Sequence, residues 1–236
     1  SPANVKYLIN NNTYIYQQKV EVCPNSIEVV KKDNSNDLIK TRKSYNIPDE
    51  STVFIYGGNL GKPQGLDFLL KILESNSEKD DRTFIIIGSG TEYSRISNWF
   101  EQNNPKNALL LGTLPKEDYD NIVKLCNVGL IFLDPRFTIP NYPSRLLSYL
   151  ENKIPILIAS DINTDIGPIA QENGYGFWCE NGNLDVFNDM LDKLASNKEL
   201  QREMGEKGHQ YLLNNYQVKM AAEIILSHFV QNSSLE

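Results

Sequence analysis

Three segments carry residues whose types and spacing suit a phosphate-bearing ligand. The first runs Tyr56-Gly57-Gly58-Asn59-Leu60-Gly61-Lys62-Pro63-Gln64-Gly65. Glycines between an apolar run and a helical one let backbone N–H groups approach a phosphate, although the same residues also make a plain strand-to-helix turn. The second, Gly88-Ser89-Gly90, allows the same pair of readings, tight turn or cleft lining. The third is Phe137-Thr138-Ile139-Pro140-Asn141-Tyr142-Pro143-Ser144-Arg145. A residue before proline avoids the α region, so Tyr142 is expected to be non-helical and Pro143 the first helical residue. The free donors of that helix end then begin with Ser144 and Arg145. A diphosphate placed there gains ~0.3–1 kcal/mol from the helix-end field, and up to ~2 kcal/mol when partly buried. The Ser144 hydroxyl and Arg145 guanidinium add charge-assisted bonds of about 1.5–3 kcal/mol each. The competing reading makes Ser144 a simple cap and leaves Arg145 solvated.

Other chemistries are thinly represented. The two histidines, His209 and His228, lie far along the chain from these loops and read as satisfied or solvated. No GxSxG elbow, HExxH or Walker-type GxxxxGK[ST] occurs, and the run Glu78–Arg82 reads as a solvated loop, not a metal site. Cys23, Cys126 and Cys179 are odd in number and form no CxxC pair, so they read as reduced thiols in a cytoplasmic protein. No metal and no cofactor is expected.

These loops must be held by something, and the rest of the pattern supplies it. Candidate strands at Val53–Tyr56, Thr83–Ile87, Ala108–Leu111, Gly129–Leu133, Ile154–Ile158 and Tyr175–Cys179 are near-continuous apolar runs, as strands buried on both faces require. Between them, Leu66, Leu69, Leu70 and Leu73 share one helix face, and Leu184, Phe187, Leu191 and Leu194 repeat the device. Pro115-Lys116-Glu117-Asp118 marks another helix start. Alternation of this kind predicts an α/β, Rossmann-like, doubly wound parallel sheet, with ligand beyond the carboxyl ends of the strands.

The flanks differ. Residues 1–50 hold one further strand candidate, Val20–Cys23, and a polar linker, Lys31–Asp37. Residues 51–197 form the βα core, and residues 198–233 read as continuous or broken helix. A single domain is expected. Ser1 opens in what reads as mid-protein, no signal peptide is read, and Leu235-Glu236 resembles a cloning scar. With 23 Lys+Arg against 30 Asp+Glu, the formal net charge of −7 disfavours nucleic acid as a partner.

In their order, these motifs resemble the C-terminal domain of retaining GT-B glycosyltransferases of the "group 1" family, and most of all members that build bacterial capsular or O-antigen polysaccharide. Val22-Cys23-Pro24-Asn25-Ser26-Ile27-Glu28 is similar to the segment where such enzymes cross between domains. Gly58-Asn59-Leu60 with Gln64-Gly65-Leu66-Asp67 stands where the family has G-R-L and K-G-x-D. Phe84–Gly90, Leu111-Gly112-Thr113-Leu114, Pro143–Pro155 and Met204-Gly205 with Gly208 resemble later family motifs. The family's diphosphate-gripping Arg and Lys fall on Asn59 and Gln64, and its paired glutamates on Pro140 and Ser148.

The resemblance implies a nucleotide-sugar donor, UDP-linked by choice, whose diphosphate meets Gly58, Asn59, Lys62, Gln64, Ser144 and Arg145. Base and ribose would meet Gly88, Gly112, Thr113, Leu114, Ser148 and Glu151; Glu151 stands in for the missing glutamate from nearly the same helix face. The donor sugar would meet Thr138, Pro140, Asn141 and Tyr142. It further implies metal-independent transfer with retention, and a lipid-linked or polysaccharide acceptor at the inner face of a bacterial membrane. The acceptor domain would be absent from this chain, leaving it inactive alone. Two alternatives stand: a UDP-sugar 2-epimerase, disfavoured by the scarcity of histidine, and a non-catalytic nucleotide-sugar-binding module.

Overall fold

A computed structural model describes residues 1–17, 20–29 and 42–232. Six strands form one sheet: β1 (Thr52–Asn59), β2 (Arg82–Ser89), β3 (Ala108–Leu111), β4 (Val128–Phe132), β5 (Ile156–Ser160) and β6 (Gly176–Glu180). All pair in parallel, in the order β3-β2-β1-β4-β5-β6. The doubly wound expectation therefore holds. The chain starts at β1, winds outward to β3, then returns to β4 on the other side of β1. Brought together by that reversal, β1 and β4 make the switch point.

The strands are apolar throughout because both faces are covered. On β1, Val53 and Ile55 enter one core layer while Phe54 and Tyr56 enter the other. On β4, Ile131 lies in the first layer, and Val128, Leu130 and Phe132 in the second. Helices cover the sheet: α1 (Pro2–Asn11), α2 (Leu66–Ser75), α3 (Tyr93–Asn103), α4 (Lys116–Leu125), α5 (Arg145–Glu151), α6 (Ile166–Glu172), α7 (Leu184–Ala195), α8 (Lys198–Asn215) and α9 (Val218–Asn232). The amphipathic faces read from sequence are α2 and α7, whose Leu69, Leu73, Leu191 and Leu194 are buried. Pro115 caps α4, as its charge pattern predicts.

Several expectations need correction. Val20–Cys23 is not a strand. Four residues of β propensity do not suffice without an edge to pair with; the pairing in this region falls instead at Ile27, which bridges Gln217. The Ile27 N–H bonds Tyr216 O at 2.9 Å, where the C-terminal helical stretch breaks between α8 and α9. Helix α1 was not expected, and none of its residues is buried. Pro143 precedes its helix instead of opening it: α5 starts at Arg145, with Ser144 as N-cap. Bonds from Leu146 N to Pro143 O and from Leu147 N to Ser144 O make a tighter first turn there. β5 begins at Ile156, not Ile154, just past Pro155. The Lys31–Asp37 linker and Leu235-Glu236 lie outside the described residues.

The register explains how the sheet opens at its centre. β1 pairs β2 along its whole length, from Thr52–Arg82 to Asn59–Ser89, but pairs β4 only at Phe54–Val128 and Ile55–Gly129. Beyond that point β1 loses its partner on one side. Tyr149 of α5 supplies the missing groups: its hydroxyl accepts from Gly57 N–H at 3.1 Å and donates to Ile55 O at 3.2 Å. Burial pushes its pKa well up, so it keeps the proton it donates. The ring reaches this position over Gly129, where a Cβ would fall 2.3 Å from Tyr149 Cδ2.

Tyr149→Phe would orphan one buried N–H and one C=O, at a cost of about 1–3 kcal/mol. Urea unfolding of the two proteins would check this; equal midpoints and slopes would show that water satisfies β1 equally well.

Candidate functional site

A cleft of about 710 Å³ opens where β1 and β4 diverge. Its walls come from the end of β1 and the turn after it (Gly57, Gly58, Asn59, Gln64), from the Asn141–Ser148 stretch with Glu151, from the first turns of α4 (Lys116, Tyr119, Asp120), and from Asn25, Ser26 and Ile27.

Arg145 is at its centre. Its Nη2 donates to Gln64 Oε1 at 2.8 Å, and its Cζ lies 4.4 Å from the Tyr56 ring centroid, within cation–π range. Nη1 is buried without a partner. Among the described residues Arg145 forms no ion pair, so a cation held by a neutral amide and a ring face keeps donor capacity to spare. Gly58 brings backbone to this head: a Cβ there would lie only 3.7 Å from Arg145 Cζ, Nε and Nη2.

The surroundings fix that geometry. Tyr56, fully buried, donates to Asn59 O at 2.8 Å, and burial raises its pKa despite the guanidinium beside it. Tyr119 closes over Gly57, where a Cβ would fall 2.4 Å from its hydroxyl. Farther along the wall, Lys116 pairs with Asp120 at 2.8 Å, which raises the lysine pKa, with Glu151 adding to the effect. The cleft thus has an uncompensated cation at the switch point and an internally balanced charge group at its rim.

Most of the residues read from sequence converge here, but not all. Gly58, Asn59, Gln64, Asn141, Tyr142, Ser144, Arg145, Ser148 and Glu151 line the cleft. Lys62 does not; it is exposed in the 3₁₀ turn Lys62–Gln64. Gly88 packs beneath Gly58, leaving no room for a ligand between them. Gly112, Thr113 and Leu114 precede α4 and are not among the lining residues; the following α4 lines that wall instead. Thr138 is exposed outside the cleft. Pro140 is buried, its carbonyl accepting from Asn4 Nδ2 at 2.5 Å, and it lines an adjoining cavity. Tyr56, Tyr119, Tyr149 and Lys116 belong to the site and went unread. Tyrosines inside apolar runs look like core, and nothing local marks a ring that turns its hydroxyl to a strand end.

Among the described residues no group of three His, Cys, Asp or Glu is placed to hold a metal ion, and no helix is long and apolar enough to cross a membrane.

Known proteins resemble this chain in both sequence and fold. An uncharacterized glycosyltransferase of Haemophilus influenzae is 24% identical over 181 residues, covering 74% of this chain and 47% of that protein. This chain therefore spans about half the length of that relative. Among solved structures, Anabaena HepE in complex with UDP-glucose superposes with a TM-score of 0.78 at 14% identity, over 98% of this chain and 62% of that one. WaaG, a glycosyltransferase involved in lipopolysaccharide biosynthesis, gives a TM-score of 0.64 at 13% identity, over 86% of this chain and 55% of its own. At such identities the superpositions establish the fold alone. A family model described as glycosyl transferases group 1 matches residues 37–211, about three-quarters of the sequence. The chain belongs to the group 1 glycosyl transferases.

Proposed function

We propose that this chain is the donor-binding half of a retaining, metal-independent glycosyltransferase. It would hold a UDP-sugar while a further domain presents a polysaccharide or lipid-linked acceptor at the inner face of a bacterial membrane. The observation that carries the reading is Arg145, a cation at the β1/β4 switch point with a buried, unpartnered Nη1 over the backbone of Gly58. A diphosphate supplies the acceptors that this head lacks. As the sugar leaves, negative charge builds on the diphosphate, and a cation already fixed in place stabilises it without reorganisation. UDP is favoured because the similarly folded HepE was solved with UDP-glucose. A polysaccharide or glycolipid product is favoured by the lipopolysaccharide role of WaaG.

On this reading the isolated chain binds nucleotide-sugar but transfers nothing, because one wall of the reaction site belongs to the acceptor domain. Calorimetric titration with UDP, GDP and a panel of UDP-sugars tests it. Saturable UDP binding between about micromolar and low-millimolar Kd, −8 to −4 kcal/mol, is the expected result. Binding of GDP in preference to UDP would reassign the donor. No binding of any nucleotide, by this chain or by a longer protein containing the acceptor domain, would reject the donor reading.

A further inference from the structure

A second cavity, of about 430 Å³, adjoins the cleft and differs from it in chemistry. It shares Asn25, Asn141, Tyr142, Pro143 and Leu147 with the cleft, but α1 and the α8–α9 break, which contribute nothing to the cleft, close its far side. Arg145, Lys116, Asp120 and Glu151 are all outside it, and among the described residues no charged side chain lines it.

Its polar groups are neutral and partly unspent. The side-chain amides of Asn25 and Asn141 bond to no other described residue. Asn215 uses Nδ2 on Tyr211 O at 2.8 Å, leaving Oδ1 to accept. Each free amide offers two donors and one acceptor. Tyr142 and Tyr216 share a 2.6 Å bond between hydroxyls, and burial raises the pKa of both, so they remain uncharged. Leu146, Leu147 and Ile169 add an aliphatic wall.

An anion finds no cation here. A purely apolar ligand would desolvate the amides without replacing their bonds. A sugar ring satisfies both sets of groups, with hydroxyls for the amides and C–H faces for the tyrosine rings and leucines, and the volume lies in the range of small-molecule pockets. We propose that this cavity binds a neutral sugar ring that is not attached to the nucleotide, a glycan site beside the donor cleft. The proposal does not rest on the donor reading, because the lining selects an uncharged polyol whether or not UDP occupies the neighbouring cleft.

Cys23 provides the readout. It lines the cavity and is exposed, whereas Cys126 and Cys179 are buried, so iodoacetamide reports on one site. Alkylation would be followed by mass spectrometry with methyl glycosides of glucose, galactose, rhamnose and N-acetylglucosamine, each with and without saturating UDP. At least one glycoside is expected to slow Cys23 alkylation about five-fold or more, with a Kd in roughly the millimolar range and little change when UDP is present. Ile169→Trp, which fills the cavity, and Asn215→Leu, which removes its acceptor, should each abolish protection while UDP affinity is retained. The proposal is overturned if no glycoside protects at about 100 mM, or if only UDP-sugars protect, since the cavity would then belong to the donor's own sugar. UDP titration of the same samples separates the two ideas. UDP binding without glycoside protection removes this site alone; protection without UDP binding removes the donor reading alone.

Discussion

Arg145→Ala is expected to weaken UDP binding about ten- to a hundred-fold, the cost of one or two charge-assisted bonds worth about 1.5–3 kcal/mol. The case rests on what the guanidinium lacks. Its fixed contacts are Gln64 Oε1 at 2.8 Å and the Tyr56 ring at 4.4 Å, and neither carries a charge that would neutralise it. A buried N–H left unsatisfied is costly, so Nη1 without a partner marks a place that a ligand atom completes. Arg145→Lys should fall between the two proteins, because it keeps the charge and loses the fork and the stacking. Lys62→Ala should leave affinity nearly unchanged, because Lys62 is exposed and does not line the cleft. Parallel unfolding curves would separate lost ligand contacts from lost packing on Tyr56. Unchanged UDP affinity in Arg145→Ala would remove Arg145 from the site.

The sheet was legible because its strands are buried on both faces, which leaves uninterrupted apolar runs that nothing else in the chain imitates. The cleft followed from topology: once the strand order reverses beside β1, ligand-facing loops are those after β1 and β4, and Gly58, Gln64 and Arg145 sit in them. Individual roles were harder to read. Gln64 reads as a direct ligand contact, yet its oxygen is turned to Arg145 and it is buried, so it acts first by positioning the cation. Tyr149 shows why such roles escape a sequence: its ring is core, and only its last atom completes a strand. Gly112, Thr113 and Leu114 were placed by motif alignment, and the lining residues fall slightly farther on, at Lys116 and Tyr119. The N-terminal stretch misled for the opposite reason. Val20–Cys23 has strand composition, but strand formation needs a partner edge, which four residues cannot encode.

Gly88→Ala should be the most damaging single methyl in the chain, destabilising it by about 4 kcal/mol or more. Gly88 pairs with Gly58 across β1 and β2, at φ +145° and +121°, conformations that side chains rarely adopt. A Cβ on Gly88 would lie 1.7 Å from Gly58 O and 2.8 Å from Gly58 C. Those are backbone atoms in a paired strand, so no rotamer change relieves the overlap, and Gly58 cannot recede without disturbing the backbone that faces Arg145. Stability and UDP affinity should therefore fall together. Gly112 offers the contrast. A Cβ there meets only Tyr93 Oη, at 3.9 Å, and its φ is not in the positive range. Gly112→Ala should change stability by no more than about 0.5 kcal/mol. Any loss of UDP affinity in that variant would then report contact with the ligand, and would return the Gly112–Leu114 turn to the nucleotide site. If Gly88→Ala instead unfolds at the same urea concentration as the parent, the two strands must separate at their ends more readily than their pairing implies, and the platform beneath Arg145 would be mobile.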